Sequence, residues 1–339
     1  MSRVVLIVIA CWLGVATSAL AADDDASEPM QDVRPPFGVV GGTVFTQGTV
    51  TFSYRFERLA LDGLMNGDDE LPIWVVASDY EVVPTKQNDN AHVFELTWTP
   101  FEEVTFLFAL PYHIKTMDQL YMGQRFTSDS QGLGDLDVLL LYRVMDDRRS
   151  RTHLTLGLSF PTGSIDQTDL SPAAAGGLQR LPYSMQLGSG TVDVQVGFTY
   201  SGKHRGTYWG GQIEGELHAG TNANDYQLGH SYAVSAWAGQ RWFSWLGTSF
   251  RLGWYQRFNV NGADPLLDPI LSPASPANDP AKQAMRRLDV LFGLDFYFTG
   301  GGLEGTRISV EAGLPAYQNL DGPQLRPQWL VNVGFRHVF

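Results

Sequence analysis

Residues Trp329-Leu-Val-Asn-Val-Gly-Phe-Arg-His-Val-Phe339 alternate in character along their whole length. Trp329, Val331, Val333, Phe335, His337 and Phe339 share one face; Leu330, Asn332, Gly334, Arg336 and Val338 share the other. Side chains of a strand point alternately to its two sides, so one face is mainly apolar and the other more polar. A strand standing between lipid and a polar interior requires that division.

The same segment carries a second pattern. Residues 332–339 resemble the C-terminal signal by which outer-membrane barrels are recognised for assembly. That signal has a polar residue, a glycine two later, a large residue three after it and a terminal aromatic. Asn332, Gly334, His337 and Phe339 take those positions, and His337 stands where an apolar or aromatic residue is usual. The resemblance implies the barrel-assembly machinery as a partner of the C-terminal strand.

The opposite end predicts export. Arg3 supplies a positive start, residues 4–15 an apolar run, and Ala19-Leu-Ala21 a small-residue cleavage site, so residues 1–21 read as a removable signal peptide. Cys11 ends a loose likeness to a lipoprotein cleavage box, but the apolar run continues past it, against lipidation. Residues 22–43, acidic and then Pro- and Gly-containing, read as a flexible leader, and residues 44–339 as a single domain.

Cys11 is the only cysteine, so the mature chain has no disulfide, thiolate catalysis or cysteine-based zinc site. The balance of 23 basic and 36 acidic residues becomes 22 and 36 once Arg3 is removed, moving the net charge from −13 to −14. That acidity argues against nucleic acid and anionic membrane surfaces as partners. Beyond the signal peptide the chain lacks an apolar run long enough for a transmembrane helix. A mildly negative mean hydropathy does not exclude a barrel, because half of every spanning strand is polar.

The period-2 pattern recurs twelve times, from Val50-Thr-Phe-Ser-Tyr54 to the C-terminal strand. The eighth repeat, 230–242, is the least regular, because Trp237 falls on its polar side. Connections alternate: short near 99–103, 145–151, 201–206, 243–245 and 299–305; long near 60–90, 117–133, 162–189, 221–229, 260–285 and 316–326. An even strand count with short turns at one end and long loops at the other predicts an all-β, transmembrane, antiparallel up-and-down barrel of about twelve strands. Both termini then lie in the periplasm, and outer-membrane lipid contacts the outer face. A β-sandwich also alternates, but does not demand the long–short rhythm. Aromatic residues gather at strand ends, among them Trp98, Tyr142, Trp209, Trp245 and Trp329, as interfacial girdles do.

The segment Gly132-Leu-Gly-Asp135-Leu-Asp-Val-Leu-Leu-Leu-Tyr142-Arg143, followed after a turn by Leu156-Gly-Leu-Ser-Phe-Pro161-Thr-Gly-Ser164, resembles a known family. It is similar to the outer-membrane barrels named for the meta-pathway of phenol degradation, often labelled transporters. Strand rhythm extends the likeness over most of residues 40–339. The resemblance implies a periplasm-terminated barrel that passes small hydrophobic or aromatic compounds.

Parity assigns the charged residues Arg55, Glu57, Glu95, Asp135, Asp137, Arg143, Asp193, Glu214, Glu216, Arg251, Arg257, Asp289, Asp295, Arg307, Glu311 and Arg336 to the lumen. They read either as a channel lining with a mild cation preference or as a mutually neutralising network that fills a narrow barrel. Seven histidines are scattered without a Ser–His or Asp–His motif; His113 and His218 could face the lumen. Met65, Met117, Met122 and Met185 lack ligand spacing, and Asp264, Asp268 and Asp279, each before a proline, read as turn initiators rather than calcium ligands. The sequence thus predicts no enzyme, cofactor or metal, but passive passage of small solutes across the outer membrane. The rival readings are a lipid- or peptide-hydrolysing barrel and a closed structural or metal-responsive one.

Overall fold

The computed structural model describes residues 35–268 and 274–339. The signal peptide, residues 22–34 of the expected leader and 269–273 of the Pro-rich stretch lie outside the described residues. Eleven strands form a closed antiparallel ring. They are β1 (Val50–Gly67), β2 (Val82–Phe101), β3 (Val104–Tyr121), β4 (Leu136–Asp146), β5 (Ser150–Phe160), β6 (Asp193–His204), β7 (Thr207–His218), β8 (Ser231–Phe243), β9 (Leu246–Arg257), β10 (Met285–Phe298) and β11 (Thr306–Val338).

The last of these supplies two passes. β11 pairs with β10 through residues 306–320 and with β1 through residues 320–338, antiparallel in both cases. β10 and β1 run in opposite directions, so β11 must rise and return. Gln318 Nε2 donates to Pro327 O across the resulting turn, 3.0 Å apart. The wall therefore has twelve passes, in agreement with the sequence pattern. The long loop expected at 316–326 shrinks to a tight reversal because pairing continues almost to its tip.

The wall is inside-out relative to a soluble protein. Along β5, Leu154, Leu156, Leu158 and Phe160 are exposed, whereas Thr155, Ser159 and the nearly inaccessible His153 face inward. Apolar side chains cover the outside at equivalent positions of β2, β6, β7, β8, β10 and β11, which suits lipid and not water. Trp98, Tyr142, Tyr200, Trp209, Trp242 and Trp245 ring the end with short turns, while Tyr232, Tyr317 and Trp329 stand toward the end with long loops. Among the described residues no helix is long and apolar enough to cross a membrane.

Two expectations need correction. The stretch 117–133 is not an open loop: β3 continues to Tyr121 and pairs its upper half with a strand at Gln124–Leu133, forming a hairpin above the wall. Residues 35–43, read as part of a flexible leader, lie inside the barrel. Phe37, Val39, Val44 and Phe45 are buried there. The reason is legible in their chemistry: an apolar run among glycines gains by leaving water, and the lumen offers donors to its carbonyls.

Candidate functional site

The lumen has two zones. At the turn end, residues 35–45 form a plug held through its backbone. Arg307 Nη2 donates to Pro35 O (3.0 Å), Gln212 Nε2 to Val40 O (2.8 Å), Arg151 Nη1 to Val44 O (2.7 Å) and Arg143 Nη2 to Phe45 O (2.5 Å). His153 Nε2 lies 2.8 Å from Gly41 O. Val39 packs on Tyr208 and on Trp237, which explains why Trp237 breaks the pattern of its strand: it points inward to meet the plug. Phe37 and Phe45 lie under the Arg336 guanidinium, at 5.5 and 5.9 Å from its carbon to the ring centres.

Around the plug, the wall charges neutralise one another. Arg55 Nη1 reaches Glu95 Oε1 at 2.7 Å and Arg55 also bonds Glu57. Arg336 Nη2 stands 3.7 Å from the other oxygen of Glu95. Arg251 grips Glu311 with two bonds of 2.8 and 2.7 Å, and Asn332 Nδ2 adds a third donor at 3.1 Å. Arg307 donates twice to Asp295 Oδ1, at 3.0 and 2.8 Å, beside the Ser309 hydroxyl. Arg143 and Arg151 share Asp146, and nearer the loop end Arg287 pairs with Asp289 at 2.9 Å. Buried charges are tolerated only when paired and hydrogen-bonded this fully, since desolvation costs several kcal/mol per ion.

Above the plug the character changes. A chamber of about 410 Å³ is lined by Asp135, Asp137, Asp193 and Glu216 on one side, and Lys115 and Arg257 on another. Among the described residues Asp135, Asp137, Glu214 and Glu216 have no cationic side chain within ion-pair distance. Asp135 takes the Gly163 and Ser189 amides at 2.8 and 2.7 Å, and Asp137 takes Gln195 Nε2 at 2.8 Å. The charges beside the plug are paired, whereas these chamber carboxylates are held by amide donors. Lys115 Nζ is committed to the carbonyls of Ser184 and Gln186 (2.9 and 2.7 Å), and Arg257 Nε donates to Gln283 O at 3.1 Å. These bonds pull the loop after β5 and the loop after β9 over the chamber as a roof. His113 and His218 both line it.

A smaller pocket of about 90 Å³, bordered by Leu59, Leu61, Met117, Met285 and Leu325, adjoins the chamber. The two share Asp89, Ser184, Arg257 and Gln283 in their walls.

Lys115, Arg151, His153, Gln212 and Tyr208 were missed from sequence. Lys115 follows from parity once β3 is extended past Tyr112. Arg151 sits at a strand end that reads as a turn, and the other three differ from ordinary inward polar residues only in what they touch. The two segments that carry the family likeness meet at the chamber rim: besides the Asp135–Gly163 bond, Thr162 Oγ1 donates to Gly134 O at 2.8 Å. Of the terminal motif, Asn332 holds Glu311 and Gly334 underlies Phe37. His337 Nδ1 lies 2.9 Å from Thr306 Oγ1, and Phe339 stands exposed with its amide on Val50 O.

No protein-family model matches the chain, and a search of curated proteins finds no match. Among solved structures it is similar to an outer-membrane channel of Pseudomonas putida F1, with a TM-score of 0.61 at 14% identity over 91% of this chain and 100% of that one. The β-domain of a Bordetella autotransporter aligns at a TM-score of 0.43 and 14% identity, covering 86% and 99% of the two chains. The NanC porin aligns at 0.40 and 8%, covering 83% and 98%. At those scores neither carries an argument. The first likeness concerns the fold, and together with the inverted wall it defines this chain as a transmembrane β-barrel with the fold of outer-membrane barrels.

Proposed function

We propose that this barrel is a passive channel for small solutes. The observation that carries the reading is the chamber of about 410 Å³, with carboxylates on its wall that no cationic side chain pairs, inside a closed lipid-facing ring. An apolar cavity of about 150 Å³ suffices to take up benzene, so the chamber and its apolar annexe have room for a ring compound with a polar group. That annexe supports hydrophobic or aromatic cargo, in line with the phenol meta-pathway family that the Gly132–Asp135 and Pro161–Ser164 segments resemble. Short turns at the end where residue 50 enters support periplasmic termini after removal of residues 1–21. Asn332, Gly334, His337 and Phe339 serve as the assembly signal in this reading, alongside their contacts in the folded wall.

The plug favours a second reading, a barrel closed at rest. Planar-bilayer recording of the refolded protein decides between them. The channel predicts small conductance steps that grow when Phe37 and Val39 are replaced by serine. Silence from both proteins, with no solute uptake into liposomes, overturns it. An enzyme would retain the Asp193–His218 pair as its foothold, and lipid or peptide hydrolysis lost in His218→Ala would favour that class.

A further inference from the structure

We propose that Asp193, Glu216 and His218 form a binding site for one divalent transition-metal cation of the zinc class on the chamber wall. Each offers one donor atom, and the three atoms lie within 4.8 Å of one another. Sequence spacing hides the site because it spans two strands. Asp193 and His218 are directly opposite in the β6–β7 register, and Glu216, opposite Gln195, is the next inward position below His218. All three donors are thus carried by hydrogen-bonded wall and not by loops.

The second observation is the state of the donors. Asp193 Oδ2 and His218 Nδ1 are buried and 2.8 Å apart, an ion pair when the imidazole is protonated, and neither atom has a further partner among the described residues. With the imidazole neutral at that nitrogen, the same contact leaves two lone pairs facing one point, where a cation can take the place of the shared proton. The rest of Asp193 is fixed to leave that oxygen available: Oδ1 accepts from Thr191 Oγ1 at 2.5 Å and from the Ala219 amide at 3.3 Å. His218 is steadied by the ring of His230, stacked at 6.3 Å, whose Nδ1 accepts the His218 amide. Glu216 is held only by a long contact to Ser231 Oγ, 3.4 Å, so its side chain can travel.

Donor chemistry selects the metal. An imidazole with two carboxylates suits zinc-class ions, whereas calcium and magnesium take oxygen donors throughout. Zinc–ligand bonds of about 2.0–2.2 Å in a tetrahedral site put donors about 3.3–3.6 Å apart. A spread of up to 4.8 Å closes when the Glu216 side chain moves by roughly 1–1.5 Å. The chamber supplies water for remaining positions, and Asp135 and Asp137 add a field that concentrates cations.

The site needs only the folded wall, so it can fail while the channel stands, and the reverse. Zinc binding to the refolded, chelator-stripped barrel is measured in detergent by competition with a chromophoric chelator. Folding is followed by heat-modifiable mobility on gels. One zinc ion per barrel is expected. Removing an outer partner of a ligand typically weakens binding roughly 10–100-fold, so His218→Gln and Glu216→Gln should each lose at least that much. Asp137→Asn, outside the triad, should lose less than either. Absence of zinc binding by the folded wild type overturns the proposal. So does binding that calcium matches and that falls equally in Asp137→Asn, the mark of a diffuse acidic lumen.

Discussion

Gly334 marks a close approach between wall and plug, for the ring of Phe37 rests where a β-carbon would project. A side chain there must push the ring aside and also crowds the Tyr54 carbonyl of the neighbouring strand, and overpacking of that kind costs about 1–3 kcal/mol. Because the predicted mature chain lacks cysteine, Val39→Cys makes a clean reporter of plug position. Maleimide labelling at position 39 should be slow in an otherwise native barrel and clearly faster when Gly334→Val is added. Equal rates would show that Phe37 does not seat the plug through Gly334. At this scale the sequence gives a residue one meaning while the fold adds another. Asn332 and Gly334 read as a recognition pattern, yet each also completes an interior contact that only three-dimensional closure creates.

Among the elements, the strands were legible because lipid and lumen impose opposite demands at every second residue. What alternation does not encode is where pairing stops. The hairpin at Gln124–Leu133 and the tight return inside β11 both extend pairing into stretches whose composition resembles a loop. The plug escaped for another reason: strand parity applies to strands alone, and 35–45 has no ladder of its own. Its apolar run Phe37, Val39, Val40, Val44 and Phe45 was the available signal.

The roof yields a pH prediction. Asp166 accepts from Asn224 and from Arg180, and those bonds hold its carboxyl below the usual carboxylate range. A depressed pKa means the clasp contributes above the unfolded value, about 3.9, and is lost as pH falls through the lower folded value. Amide exchange over residues 164–181, corrected for intrinsic rates, should therefore rise on acidification to about pH 3 while β5 and β6 stay protected. Unchanged protection would show that the loop is held by its buried contacts alone. Tyr183 and Met185 supply those, packed beneath the same loop.

For the molecule as a whole, charge is sorted by height. Arginines compensate the carboxylates beside the plug, while the chamber keeps Asp135, Asp137 and Glu216 without such partners. A passing ion meets a negative field at the loop end, so a conducting barrel should prefer cations. Reversal potentials in a salt gradient should show that preference, reduced in the Asp137→Asn, Glu216→Gln double variant. Because screening shortens to about 3 Å in 1 M salt, the preference should also shrink there. Anion preference in the native barrel would place the controlling charges elsewhere. Parity offers candidates for inward charges, but pairing depends on neighbours across strands, so the ion pairs beside the plug were invisible in one dimension.

The plug leads directly into β1, with only residues 46–49 between Phe45 and the first strand. Binding to the lumen is therefore an intramolecular event, governed by an effective concentration that short linkers set in the millimolar range. A free peptide copying residues 35–45 would compete poorly at micromolar levels against a copy that never diffuses away. Conversely, weak individual contacts are enough to keep the lumen occupied most of the time while leaving rapid release within reach. Occupancy can then be tuned by altering the length of the tether, with every contact inside the barrel left unchanged.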